Sequence, residues 1–124
     1  MQFTWKENHM ESDLEFGKLK ISDNNQEGFL PEQLLISSIA GCSAYFFDII
    51  LKKQKVEFDY LVLETEVKRD SNNKIEKILL NFIIEGGNLN EEKLLKNLKL
   101  SHKHCGMVQS VKDSIIIEDQ LTIK

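Results

Sequence analysis

The sequence predicts an α+β domain in which antiparallel strands wrap one long buried helix. Three observations predict it. From Leu34 to Leu51 the chain is apolar but for scattered serines and a single charge, Asp48. A helix that is apolar nearly all round is one covered on every side. Stretches flanking it alternate between apolar and polar residues, as in Tyr60 to Lys68 and Ile75 to Glu85, the pattern of half-buried strands. A second helical segment opens at Asn90, and a last strand-like segment, Ser114 to Lys124, follows it. The order strands, helix, hairpin, helix, strand belongs to an α+β fold with an antiparallel sheet rather than to alternating βαβ units.

Residues 2 to 22 carry turn signals at Glu7-Asn8 and Phe16-Gly17 and read as two or three short antiparallel strands. Phe3 and Trp5 share one strand face, and Leu19 and Ile21 another. A polar loop from Ser22 to Gly28 leads to Pro31, which opens the helix where its missing N–H costs nothing. Glu32 beside it suits the positive end of the helix dipole, and Lys52, Lys53 and Lys55 suit the negative end. Leu61, Leu63 and Val67 then face inward, as do Ile78, Leu80, Phe82 and Ile84 on the return strand. Asp70-Ser71-Asn72-Asn73 is the turn between them, and the resulting hairpin has one wet face. Asn90 caps the second helix, with Glu91 and Glu92 in its first turn. That helix runs to about His102. Leu94, Leu98, Ser101 and Cys105 share one stripe if the turn continues. Gly106 is expected to break the geometry before a further helical turn at Met107 to Val111.

A chain of 124 residues has room for one core, so residues 1–124 are expected to form a single domain. The net charge is -4, and no basic cluster exceeds Lys52-Lys53, which excludes a general nucleic-acid or anionic-membrane binder. Leu34 to Leu51 reaches only the lower limit of a membrane span. Its removal to a bilayer would leave the half-buried strands without a core, so no membrane association is expected. The opening MQFTWKENHMESD lacks the charged-then-apolar pattern of a signal peptide. A cytoplasmic location is expected, where a structural disulfide is not.

Two cysteines in that setting are inert core residues or working thiols. Cys42 and Cys105 are too far apart in sequence for a Cys-x-x-Cys or zinc-knuckle pattern. A redox pair would need one nucleophilic thiolate and one resolving thiol. Cys42 lies in mid-helix, so a cation from elsewhere must stabilise its thiolate. His102, His104 and Cys105 have the donor types of a zinc or copper site. Helical spacing nevertheless turns the two histidines about 200° apart, and no metal is expected. His104 could instead raise the thiolate fraction of a cysteine.

Pro31-Glu32-Gln33-Leu34-Leu35 followed by Ala40-Gly41-Cys42 resembles the Pro-Glu-Gln-Leu…Cys signature of the OsmC-like family, which includes the organic hydroperoxide resistance proteins. The second half is similar too: a helix, a second cysteine in Ser101-His102-Lys103-His104-Cys105, and a final strand. The resemblance implies an intertwined homodimer whose antiparallel sheets wrap two central helices. It implies thiol-dependent reduction of organic hydroperoxides, with Cys42 as the peroxidatic and Cys105 as the resolving thiol, joined in a disulfide during turnover. It implies no cofactor, and a lipoyl-type dithiol as reductant. Tyr45, Phe46, Ile49 and Met107 would form an apolar wall for the alkyl tail.

Glu32 matches the family's active-site glutamate, which orients a catalytic arginine. Ten residues of straight helix set Glu32 about 15 Å along the axis from Cys42 and turn it about 80° away. A bend or a second subunit is needed to bring them to one site. The chain departs from the peroxidase pattern in having no arginine before Arg69, which sits beside the hairpin turn. Lys18 and Lys20 occupy the region where that arginine stands, but a lysine cannot make the bidentate fork to Glu32. The competing expectation is therefore a non-catalytic dimer that keeps the fold and binds a small apolar ligand. Gly106 also stands where a proline often follows the second cysteine.

Overall fold

In the computed structural model, which describes residues 1–124, nine elements follow one another: β1 (Thr4–Lys6), β2 (His9–Asp13), β3 (Lys18–Ile21), α1 (Pro31–Lys53), β4 (Tyr60–Arg69), β5 (Ile75–Glu85), α2 (Glu91–His104), α3 (Gly106–Val111) and β6 (Ile116–Ile123). The chain divides into two compact units, Met1–Ser37 and Ser38–Lys124.

In the first unit, β1, β2 and β3 form an antiparallel sheet in chain order. The turn signals fall where they were expected. Glu7 takes a positive φ of 45° between β1 and β2. Leu14 and Gly17 exchange two backbone hydrogen bonds of 3.1 Å between β2 and β3. Glu11, in the middle of β2, is a charge hub. His9 donates to it at 2.8 Å, and Lys6, Lys18 and Lys20 lie within 3.2, 3.3 and 3.9 Å. Lys18 also pairs with Asp13 at 3.3 Å. Gly28 packs against the Lys20 backbone so closely that a Cβ would meet it at 2.9 Å. That approach lets the Phe29 N–H donate to the Lys20 carbonyl at 2.8 Å.

Helix α1 starts with half of a capping box: the Leu30 N–H donates to the Gln33 side-chain oxygen at 3.1 Å. It ends in a Schellman turn, in which the Val56 N–H donates to the Leu51 carbonyl at 2.9 Å and the Lys55 N–H to that of Lys52 at 3.1 Å. Lys55 occupies the left-handed position of that turn, with φ 57°. The helix buries four residues, Ile39, Ser43, Phe47 and Leu51, at i, i+4 spacing. The expectation of a helix covered on every side is corrected here. One stripe is buried, and Tyr45 is 62% exposed. By length and composition α1 could cross a membrane, yet its buried stripe is packed into protein.

The second unit is organised on β5. Its residues Ile78, Leu80, Phe82 and Ile84 are almost wholly buried, as their alternation predicts. Phe82 meets Phe47 of α1 edge to face, with ring centroids 5.3 Å apart. Each such fully buried side chain contributes roughly 1.5–3 kcal/mol relative to exposure. On one side β4 pairs antiparallel, Leu61 opposite Ile84 and Val67 opposite Ile78. Asp70 organises the hairpin turn by accepting from the Asn72 and Lys74 N–H groups at 2.9 and 3.0 Å. Arg69 serves this turn, donating to the Asn73 carbonyl at 2.7 Å. On the other side β6 pairs with β5 in parallel, not antiparallel as its place in the sequence suggested. The crossover through α2 and α3 returns the chain to the starting end of β5, and β6 then runs alongside it.

Asn90 caps α2 by accepting from the Lys93 N–H at 2.9 Å. The predicted stripe of Leu94, Leu98, Ser101 and Cys105 is buried along its whole length. The break between α2 and α3 comes at Cys105 itself, which is extended with φ −73° and ψ 107°, rather than at Gly106, which is the first residue of α3.

Candidate functional site: a thiol pair

Helix α1 and the α2–α3 junction bring the two cysteines together. The Cys42 thiol is close enough to the Cys105 side chain and to the Met107 and Gly106 backbone N–H groups for each to act on its ionisation. Both cysteines are free thiols; Cys42 is half-buried and Cys105 fully buried. The geometry therefore offers what a sequence separation could not: one accessible sulfur with a second beside it. Such a pair can be oxidised to a disulfide if a small oxidant reaches Cys42.

The electrostatics oppose ready ionisation of Cys42. Burial pushes its thiol pKa up, and the neighbouring Cys105 adds to the rise. The Met107 and Gly106 N–H groups pull it down without reversing the shift. They point at the sulfur because Cys105 is extended and α3 starts directly after it, leaving its first N–H groups without intrahelical partners. None of the groups that move this pKa most is a cation.

Two hydroxyls complete the inner side of the pair. The Ser43 hydroxyl donates to the Cys105 sulfur at 3.6 Å, and the Ser101 hydroxyl donates to the Ser43 carbonyl at 3.0 Å. Helical spacing places Ser101 on the buried stripe of α2, but nothing in the sequence distinguishes Ser43 from any other helical serine. Ser43 shows its role only through the packing of α1 on α2. The junction is tied further out by His102, whose Nδ1 lies 3.0 Å from Asp119 Oδ2 on β6, and by Gln109, whose side-chain amide donates to the His102 carbonyl at 3.0 Å. Burial raises the Asp119 pKa, and the His102 hydrogen bond opposes the rise.

Tyr45 and Phe46 follow Cys42 along α1 with their rings 5.6 Å apart, edge to face. Ile49 lies one turn further on, and Met107 is 37% exposed at the start of α3. Helical spacing puts Tyr45, Phe46 and Ile49 three, four and seven residues past Cys42, on the same side of α1. A cavity of about 930 Å3 lies elsewhere, at the C-terminal end of α1, lined by Lys52, Lys55, Phe58, Asn90 and Lys93 among others. Glu32 is in the first turn of α1, which runs unbroken to Lys53. Lys18 and Lys20 direct their ammonium groups at Glu11. His104 is exposed at the end of α2, and His102 turns to Asp119, so the two histidines and Cys105 are not assembled as a ligand set.

A family model described as OsmC-like protein matches residues 23–118. No curated protein matches the sequence significantly. Several solved structures share the fold. A hypothetical protein from Aquifex aeolicus VF5 is 24% identical, with a TM-score of 0.86 over 99% of this chain and 93% of the other. An OsmC like protein from Mycoplasma pneumoniae is 16% identical, with a TM-score of 0.86 over 98% and 94% of the two chains. The organic hydroperoxide resistance protein OhrB of Bacillus subtilis is 21% identical, with a TM-score of 0.66 over 99% and 95%.

Proposed function

Because the chain belongs to the OsmC-like family, we propose that it is a thiol-dependent peroxidase that reduces organic hydroperoxides in a detoxifying, stress-related role. The observation that carries this reading is the placement of Cys42 beside Cys105, an accessible thiol with a buried one in reach. The hydroperoxide resistance protein among the structural relatives supports it.

The Cys42 thiolate attacks the distal oxygen of the hydroperoxide. The O–O bond breaks, the alcohol leaves with a proton, and Cys42 becomes a sulfenic acid. Cys105 then attacks the Cys42 sulfur, an S–S bond forms, and the hydroxyl leaves as water. A dithiol of lipoyl type reduces the disulfide by exchange and is itself oxidised. Tyr45, Phe46, Ile49 and Met107 take the alkyl tail, since removing apolar surface from water favours an organic peroxide over hydrogen peroxide.

A second copy of the chain completes the site. Helix α1 is apolar on faces its own chain leaves open, with 22% of its most apolar window buried. An intertwined homodimer covers those faces, closes the wall beside Cys42 and brings Glu32 to the partner's thiol. The thiolate then depends on a cation delivered in the assembly, with Lys18, Lys20 and His104 as the candidates.

The raised Cys42 pKa favours a second reading, a non-catalytic dimer that keeps the fold and binds a small apolar ligand. Turnover separates the two. Reduced protein supplied with a lipoyl-type dithiol consumes cumene hydroperoxide catalytically, and Cys42→Ser abolishes consumption. Consumption unchanged in Cys42→Ser, or absent from the native protein, would rule the peroxidase out.

A further inference from the structure

The chemistry above assigns nothing to the hydroxyls packed on the inner side of the thiol pair. Ser43 and Ser101 are 3% and 1% exposed. A helical serine commonly returns its hydroxyl to the carbonyl one turn back. Ser43 instead sends its proton out of α1 to the Cys105 sulfur, 3.6 Å away, between two helices. Ser101 holds the same turn of α1 through the Ser43 carbonyl at 3.0 Å. The result is a fixed hydroxyl aimed at a sulfur that no solvent reaches, since Cys105 is 0% exposed.

An isolated thiolate in such a place is costly, because burial disfavours the charged form. A hydroxyl already aimed at the sulfur offsets that cost, and hydrogen bonds to charged acceptors are the stronger kind. The titratable group that also faces Cys105 is the Cys42 thiol, which in the resolving step is a neutral sulfenic acid.

We propose that Ser43 is a catalytic residue of the resolving step, donating its hydroxyl hydrogen bond to the Cys105 sulfur as the thiol gives up its proton to become the attacking thiolate. This rests on the peroxidase reading, in which an organic hydroperoxide has oxidised Cys42 to the sulfenic acid. The Cys105 sulfur attacks the Cys42 sulfur, the S–S bond forms and the S–O bond breaks. Two electrons pass from Cys105 to the sulfenic sulfur, and the departing hydroxide takes the Cys105 proton to become water. Ser43 keeps its own proton throughout and stabilises the thiolate before it attacks.

Two measurements test it. Rapid mixing with cumene hydroperoxide separates sulfenic-acid formation from its decay to the disulfide. Ser43→Ala should leave the first step within about twofold and slow the second by roughly threefold to fivefold, since part of the lost thiolate is offset by a more nucleophilic sulfur. The dimedone adduct of Cys42 should accumulate, and Ser43→Thr, which keeps the hydroxyl, should restore the second step. Equal slowing of both steps, or an unchanged second step, would overturn the assignment. The second measurement needs no peroxide. In Cys42→Ser protein, alkylation of Cys105 by iodoacetamide at fixed pH should slow severalfold on adding Ser43→Ala and recover with Ser43→Thr. Unchanged alkylation would overturn the role of Ser43 whether or not the protein is a peroxidase. Failure of native protein to form a sulfenic acid, with the slowed alkylation present, would remove the peroxidase reading and leave the Ser43–Cys105 interaction standing.

Discussion

Gln54 and Asn97 exchange two hydrogen bonds, each side-chain nitrogen donating to the other's carbonyl oxygen at 2.9 Å. The exchange ties the end of α1 to the middle of α2, and Asn97 is only 3% exposed. Gln54 is exposed, and exposed residues usually tolerate substitution within about 0.5 kcal/mol. Here Gln54→Ala strands a buried amide and should cost about 1–2 kcal/mol in urea unfolding. The double variant Gln54→Ala/Asn97→Leu should lose less than the two single variants together. Strict additivity would mean that the pair does not act as a unit.

Glu11 gives the protein a specific sensitivity to acid. Its hydrogen bond from His9, followed by that from Lys6, holds its pKa down to about 2, against an ordinary 4.5. A carboxyl with a depressed folded-state pKa contributes stability above its unfolded value and loses that contribution as pH falls through its folded value. The contribution of Glu11 is therefore complete above about 4.5 and gone near 2. Glu11→Gln should lower the unfolding midpoint at neutral pH and flatten its fall between those two values. An equal slope in native and variant protein would deny Glu11 this role.

Lys55 sits where a helix C-terminus favours glycine, with φ 57°. The Schellman hydrogen bonds use backbone atoms alone and survive substitution. Lys55→Gly should therefore raise stability by up to about 1 kcal/mol, the strain a side chain suffers in the left-handed region. A loss of stability would show that the lysine side chain is held by an interaction that outweighs this strain.

Much of this architecture is legible in the sequence, because it depends on local patterns. Ile75 to Glu85 announces its buried face by apolar residues at every second position from Ile78 to Ile84. Asp70 to Asn73 announces the turn, and Asn90 the start of α2. The stripe from Leu94 to Cys105 follows from helical spacing alone and places the second thiol in the core. What the sequence conceals depends on partners far along the chain. The direction of β6 is set by the crossover and not by its own residues. Ser43, Gln54 and Asn97 look like ordinary polar residues until α1 meets α2. The continuous apolar run of α1 announces that something covers it, but not that its own chain buries only the stripe from Ile39 to Leu51. The thiol pair could be anticipated from the family resemblance. The backbone N–H groups that face Cys42 could not, because they arise from the extended geometry at Cys105.

Those N–H groups make a separable prediction. Cys105 is already extended, the conformation a residue before proline prefers. Proline is also well suited to the first position of a helix. Gly106→Pro should therefore fold normally while deleting one of the two N–H groups that pull the Cys42 pKa down. Iodoacetamide alkylation of Cys42 should shift to higher pH in the variant. An unchanged profile would mean that the Gly106 N–H contributes nothing to the thiolate.

The most direct measurement is the covalent state of the two cysteines after reduced protein meets one equivalent of cumene hydroperoxide. A peroxidatic and resolving pair loses both free thiols and yields one peptide cross-linked through Cys42 and Cys105, which a dithiol then reopens. Two thiols that remain free, or a disulfide that joins Cys42 to Cys42 of a second chain, would contradict the assignment of Cys105 as the partner of Cys42.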